Sequence, residues 1–175
     1  MQKQFDGLWG KSFPNGKSKE RGGTLVADSQ GNLSLQNLTG LGATSGTFAP
    51  DVTLKNPQDT AVGVFHTHQY DASEGSLTGL SLSGGDAAYM IISGHSVILA
   101  QSGTQQFAFV RTAATPAKVD FDKLNDAQNA LMQKLMRGGM GPSAASKKAA
   151  AETAKTYHLA YYEGSGGTLT RVQPK

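Results

Sequence analysis

The chain contains no cysteine. Disulfides are therefore excluded, and so is any zinc site built from thiolates. A metal held by this protein must be bound by histidine, aspartate or glutamate. Long apolar runs are also missing. No stretch reaches the ~18 residues a membrane-spanning helix requires, and Met1–Lys11 lacks the apolar core of a cleavable signal peptide. We therefore expect no membrane partner. The charge balance offers little to nucleic acid: 16 basic against 13 acidic residues leave a net charge of +3. The basic residues are scattered, with no stripe of Lys and Arg interleaved with aromatics, so no nucleic-acid partner is expected. Glycine, in contrast, is plentiful at 22 residues, which points to a β-rich body with many turns. A length of 175 residues suits one domain with its own core.

Residues 1–19 are polar, with Pro14-Asn15-Gly16 and four lysines. They read as an N-terminal arm whose Phe5, Leu8 and Trp9 dock on the body. A single domain is expected over 20–175. Glu20–Ala27 reads as a strand, residues 28–32 as a turn, and Leu33-Ser34-Leu35 as the hairpin partner. Residues 37–58 are Gly/Ser/Thr-rich, with Pro50 and Pro57. They read as a long irregular connection with one short strand near Val52–Leu54. Ala61–His68 is apolar almost throughout and predicts an interior strand. A loop over 69–82 leads to a helix from Ser83 through Ile92. Residues 95–100 and 106–110 read as a hairpin about Ser102-Gly103-Thr104. Leu124, Ala127, Leu131 and Leu135 keep helical spacing up to Gly138-Gly139, and Ser143–Thr156 reads as a second, alanine-rich helix. A final hairpin joins 159–162 to 168–172. The pattern is α+β with a mainly antiparallel mixed sheet.

The chemistry concentrates at Ala61–Asp86. His66 and His68 stand two residues apart on a strand, so their side chains project from one face. Asp86 follows at a helix start. Two imidazoles and a carboxylate are the ligand set of a catalytic Zn²⁺ site, which keeps its fourth position for water. Attack on an amide by that water needs a general base. The chain has four glutamates, and Glu20 and Glu74 are the two candidates. Ser83 is placed to steady an oxyanion. Ser83 and Asp86 also read as a helix N-cap and its acidic N3 residue. Asp71 is a lower-ranked third ligand, three residues past His68 and without a helix to orient it. His95 and His158 show no partner pattern and read as structural.

The order of these residues resembles the JAMM metallopeptidases, the catalytic branch of the JAB/MPN domains. Their motif is a distant glutamate, then His-Ser/Thr-His, then Ser-x-x-Asp. Here it reads Glu20, then His66-Thr67-His68, then Ser83-Gly84-Gly85-Asp86. The resemblance implies Glu20 as general acid/base, His66, His68 and Asp86 as zinc ligands, and Ser83 as oxyanion partner. Glu20-Arg21-Gly22-Gly23, Gly63–His68 and Tyr161-Tyr162 resemble more closely the bacterial JAB-like domains called DUF4329, over roughly residues 18–173. That likeness implies a three-layer α/β/α, cytidine-deaminase-like sandwich, often placed at the C-terminal end of Rhs-type polymorphic toxins. It implies a metallopeptidase or isopeptidase acting on a polypeptide or isopeptide substrate. It also implies a bacterial secretion route without a cleavable signal peptide, and a secretion-system carrier or immunity protein as partner. A metal-free interaction module and a zinc hydrolase acting on a non-peptide amide are the alternatives. Two departures stand out. Gln69 occupies the family's usual proline position, and residues 70–82 lengthen the spacing between the second histidine and the aspartate.

Overall fold

A computed structural model describes residues 1–44 and 46–172. Ser45 of the predicted connection and residues 173–175 of the predicted domain lie outside the described residues. The fold is mixed α+β: the described residues form four α-helices and a seven-stranded sheet, with a small separate hairpin. The sheet strands are β1 (Gly22–Ala27), β2 (Leu33–Gln36), β5 (Thr60–Thr67), β6 (Val97–Ser102), β7 (Gln105–Val110), β8 (Ala160–Ser165) and β9 (Thr168–Arg171). They lie in the order β2-β1-β5-β6-β7-β8-β9. Among the described residues β5 and β6 form the one parallel pair. The helix α2 (Gly84–Ser93) makes the crossover between them. Strands β3 (Gly42–Ala43) and β4 (Phe48–Ala49) form the separate hairpin.

Helices α2, α3 (Phe121–Arg137) and α4 (Pro142–Thr156) cover one face of the sheet. Met90 and Ile91 of α2, Leu124 of α3 and Ala150 of α4 meet Val64, Ile98, Phe107 and Phe109 in one buried cluster. The opposite face carries Leu25, Leu35 and Phe65, covered by Phe5 and Leu8 of α1 (Gln2–Gly10). Phe5 and Phe65 stack with ring centroids 3.9 Å apart. The N-terminal arm is thus a helix that docks as expected through Phe5 and Leu8, while Trp9 stays only partly buried.

The faces are set by a β-bulge. Leu25 pairs with Gly63 and Val26 with Ala61, which leaves Val62 as the extra residue on β5. Val62 therefore packs with the α1-side cluster, while Val64, two residues on, packs under α2. Past the bulge the alternation is regular.

One expectation is corrected. No strand forms near Val52–Leu54. Its backbone acceptors are taken by side chains instead: Asn37 Nδ2 donates to the carbonyls of Asp51 and Thr53, and Thr24 Oγ1 also donates to Asp51 O. Val52 is correspondingly exposed, with nothing to bury it. The helix read from Leu124, Ala127, Leu131 and Leu135 forms as α3 and ends before Gly138; within it Leu124 and Gln128 are the buried residues, and Ala127 is exposed.

Truncating the stacked ring removes the main anchor of α1. Phe5→Ala is expected to cost about 3 kcal/mol and lower Tm by roughly 6–12 °C, measured by calorimetry. An unchanged Tm would mean that α1 contributes no stability.

Candidate metal centre

The site forms where the C-terminal end of β5 meets the N-terminus of α2. His66 and His68 project from the helix-covered face, past Val64. Ser83 is the N-cap of α2 and Asp86 its N3 residue. Both halves of a capping box are made. Asp86 N–H donates to Ser83 Oγ at 3.1 Å, and Ser83 N–H donates to Asp86 Oδ2 at 2.6 Å. The Ser83 hydroxyl also donates to Oδ2 at 2.8 Å. The cap reading and the ligand reading are therefore compatible. The same bonds that start the helix fix the carboxylate against the histidines. Gly84 lets α3 pack closely on this helix start, because a Cβ there would lie 2.7 Å from Asn125 Cα of α3.

The three ligand atoms converge. His66 Nε2 lies 3.1 Å from Asp86 Oδ1, and His68 Nε2 lies 3.3 Å from Oδ2. The two Nε2 atoms are 2.8 Å apart. His66, His68 and Asp86 thus place one ligand atom each within 4.8 Å of one another, close enough to hold a metal ion. His68 Nδ1 is 2.9 Å from the carbonyl of Ser81. A carbonyl only accepts, so Nδ1 carries a hydrogen, and Nε2 is the nitrogen that faces the cluster.

Ser81 is itself firmly held. Its N–H donates to Ser146 Oγ of α4, and its hydroxyl pairs with Tyr161 OH of β8. Gln128 Nε2 of α3 donates to Leu82 O, and Ser102 Oγ of β6 donates to His68 O. The second part of the long 69–82 loop, Leu80–Leu82, is therefore buried and pinned to α3, α4, β6 and β8. Residues 72–76 form its exposed tip.

The distant glutamate is delivered by strand register. Gly22 pairs with His66, and Thr67 N–H donates to Arg21 O. Continuing that register sets Glu20 across from His68. Its backbone N–H is held by Thr44 O beside the β3–β4 hairpin. Gly22 leaves room for Phe48 of that hairpin: a Cβ at Gly22 would come within 2.8 Å of the ring. Glu20 shares a cavity of about 540 Å³ with His66, His68, Ser83 and Asp86.

The other candidates are employed elsewhere. Asp71 caps the short helical turn at 72–74. Its Oδ1 accepts from Ser73 N–H, and its Oδ2 accepts from Ser18 N–H. These bonds, with the Ser73 hydroxyl foremost, pull its pKa down to about 2. Glu74 closes that capping box by accepting from Asp71 N–H and also accepts from the Ser18 hydroxyl, at the rim of the cavity. His95 is buried beside Tyr89, in keeping with a structural role.

The charges at the centre are strongly coupled. Burial opposes a charged imidazole at His66, but the Asp86 carboxylate and its hydrogen bond, with Glu20 adding to them, lift the pKa to about 9. Burial also opposes the Asp86 anion. The histidines outweigh it and hold the carboxyl well below its usual range. At Glu20 burial wins, and the carboxyl is raised despite the attraction of both histidines.

Part of the cavity lining was not anticipated from sequence. Tyr70, Tyr89, Asn125 and Gln128 contribute to it. For Gln128 a signal existed: it lies four residues from Leu124, on the helix face that is buried. Among the described residues no helix is long and apolar enough to cross a membrane. Compared with protein-family models, with curated proteins and with solved structures, the chain matches none.

Two outcomes follow for a divalent cation. Below about pH 9 the metal-free centre keeps a proton on His66, and a cation must displace it. Binding near pH 7.5 is expected to release about one proton, and affinity to fall about tenfold for each pH unit below that pKa. Titration calorimetry in buffers of different ionisation enthalpy measures both, and binding without proton release would contradict the assigned His66 ligand. Asp86→Asn is expected to weaken binding more than about 100-fold, while Asp71→Asn leaves the stoichiometry unchanged, as read by elemental analysis.

Proposed function

We propose that this chain is a zinc-dependent amide hydrolase of the JAMM type, cutting a peptide or isopeptide bond. The observation that carries the reading is the convergence of His66, His68 and Asp86 within 4.8 Å, in one cavity with Glu20. Helices on both faces of the mixed sheet are in keeping with the three-layer JAB/MPN sandwich. The donor set fits Zn²⁺: two imidazole nitrogens and one carboxylate, with room on the cavity side for a fourth ligand.

When bound, Zn²⁺ supplies a Lewis acid that lowers the pKa of a water ligand toward ~7. The rest falls to the chain's own residues. Glu20 accepts a proton from the attacking water and passes it to the amine as the carbon–nitrogen bond breaks. A carboxyl raised by burial suits both halves of that transfer. Ser83 donates its hydroxyl hydrogen to the carbonyl oxygen as that atom gains charge, exchanging its bond to Asp86 Oδ2 for one to substrate. The Asp86 N–H bond keeps Ser83 Oγ in place during the exchange. Ser81 O holds His68 in one tautomer throughout.

The test uses zinc-reconstituted protein and a library of quenched fluorescent peptides. Glu20→Gln is expected to keep one zinc per chain and the wild-type Tm while cleaving at least about 100-fold more slowly. A folded protein that takes up no zinc, or a Gln variant of undiminished activity, would sink the proposal.

A further inference from the structure

The cavity beside the metal centre is lined by three carboxylates, Glu20, Glu74 and Asp86, and among the described residues by no Lys or Arg. This is a chain with 16 Lys and Arg and a net charge of +3. Cations near the cavity are drawn off it. Arg21, next to Glu20, donates Nε to Lys11 O. Lys147, next to the cavity residue Ser146, lies over the Phe107 ring, 5.8 Å from its centroid. One divalent cation would leave three carboxylates incompletely balanced. A cleft with low-dielectric walls focuses such a potential on whatever enters it.

A second observation points the same way. Gln128 lines this cavity and is only 5% exposed. Its Nε2 is committed to Leu82 O at 2.8 Å, which fixes the amide's orientation, and its Oε1 has no hydrogen-bond partner. A buried acceptor without a donor costs about 1–3 kcal/mol, and such a group calls for an explanation. At the rim Glu74 Oε2 accepts from Asp71 N–H, closing the capping box, and from the Ser18 hydroxyl, and neither bond uses Oε1. Away from the metal ligands, then, the lining of the cavity brings a buried, unsatisfied amide oxygen and an exposed rim carboxylate, and no fixed positive charge.

We infer that the cavity selects a ligand segment bearing a cationic, hydrogen-bond-donating side chain of the lysine type, and rejects a carboxylate or phosphate in the same place. As a statement about substrate it rests on the hydrolase reading: the amide cut has a cationic residue beside it, and a free C-terminal carboxylate is not what is recognised. As a statement about binding it stands without the metal.

The test measures binding rather than turnover. N-acetyl-lysine N-methylamide and its norleucine and glutamate counterparts are titrated into isotope-labelled protein, with and without Zn²⁺, and followed by NMR at the backbone amides of the residues lining the cavity. The lysine compound is expected to bind at least about fivefold more tightly than norleucine, with glutamate weakest, and 0.5 M NaCl is expected to shrink the difference. Gln128→Glu, similar in size, is expected to enlarge the lysine preference, and Glu74→Gln, which retains a capping oxygen, to reduce it severalfold. Equal binding of lysine and glutamate compounds, detectable binding of neither, or a preference that both variants leave unmoved would overturn the inference. Failure to take up zinc would instead count against the hydrolase alone, because the ordering is read in both forms.

Discussion

One carboxylate holds two parts of this molecule together. Asp86 closes the N-terminus of α2 and faces both imidazoles at the end of β5. A buried anion needs compensation from donors or cations. Here the compensation comes from Ser83 N–H, the Ser83 hydroxyl and the two histidines. The favourable field at a helix N-terminus adds to it. The start of the helix and the centre are therefore a single electrostatic unit. Neither can shift without exposing an uncompensated charge to the other.

The rest of the fold can be understood as support for that unit. Helices α3 and α4 do more than cover the sheet. Through Gln128, Ser143 and Ser146 they bind the backbone of residues 79–82, the segment that orients His68. On the far side Ser12 Oγ lies 2.8 Å from Thr67 Oγ1, which ties the end of the N-terminal segment to the residue between the two histidines. The strand is thus braced from both faces at the point where its side chains must be aimed.

Much of this was legible in the residues. Val62–Phe65 had to be an interior strand because it has no polar side to present to water. His66 and His68 share a face by the period of two. Ser83 and Asp86 announce a helix start by spacing alone. Other parts were hidden for identifiable reasons. Helix α1 has no side-chain cap and two glycines in nine residues, so its Phe5–Leu8 spacing carried little weight. The Val52–Leu54 segment has strand-like residues, but Asn37 takes up its carbonyls, an effect no local pattern displays. The placement of Glu20 opposite His68 is a matter of register between strands more than forty residues apart. The amide wall of the cavity depends on which turn of α3 faces inward.

The bulge at Val62 divides β5 into two lengths with different tolerance to change. Upstream, the chain has already absorbed one surplus residue, and losing Val62 would straighten the strand while leaving its pairing with β1 intact. Downstream, between Gly63 and His68, there is no slack. A single insertion or deletion between Gly63 and His66 would turn both imidazoles toward α1 and point Phe65 or Thr67 at Asp86. Length variation along this strand is therefore confined to its first three residues, and the bulge acts as a buffer that isolates the centre from changes nearer the β4–β5 connection.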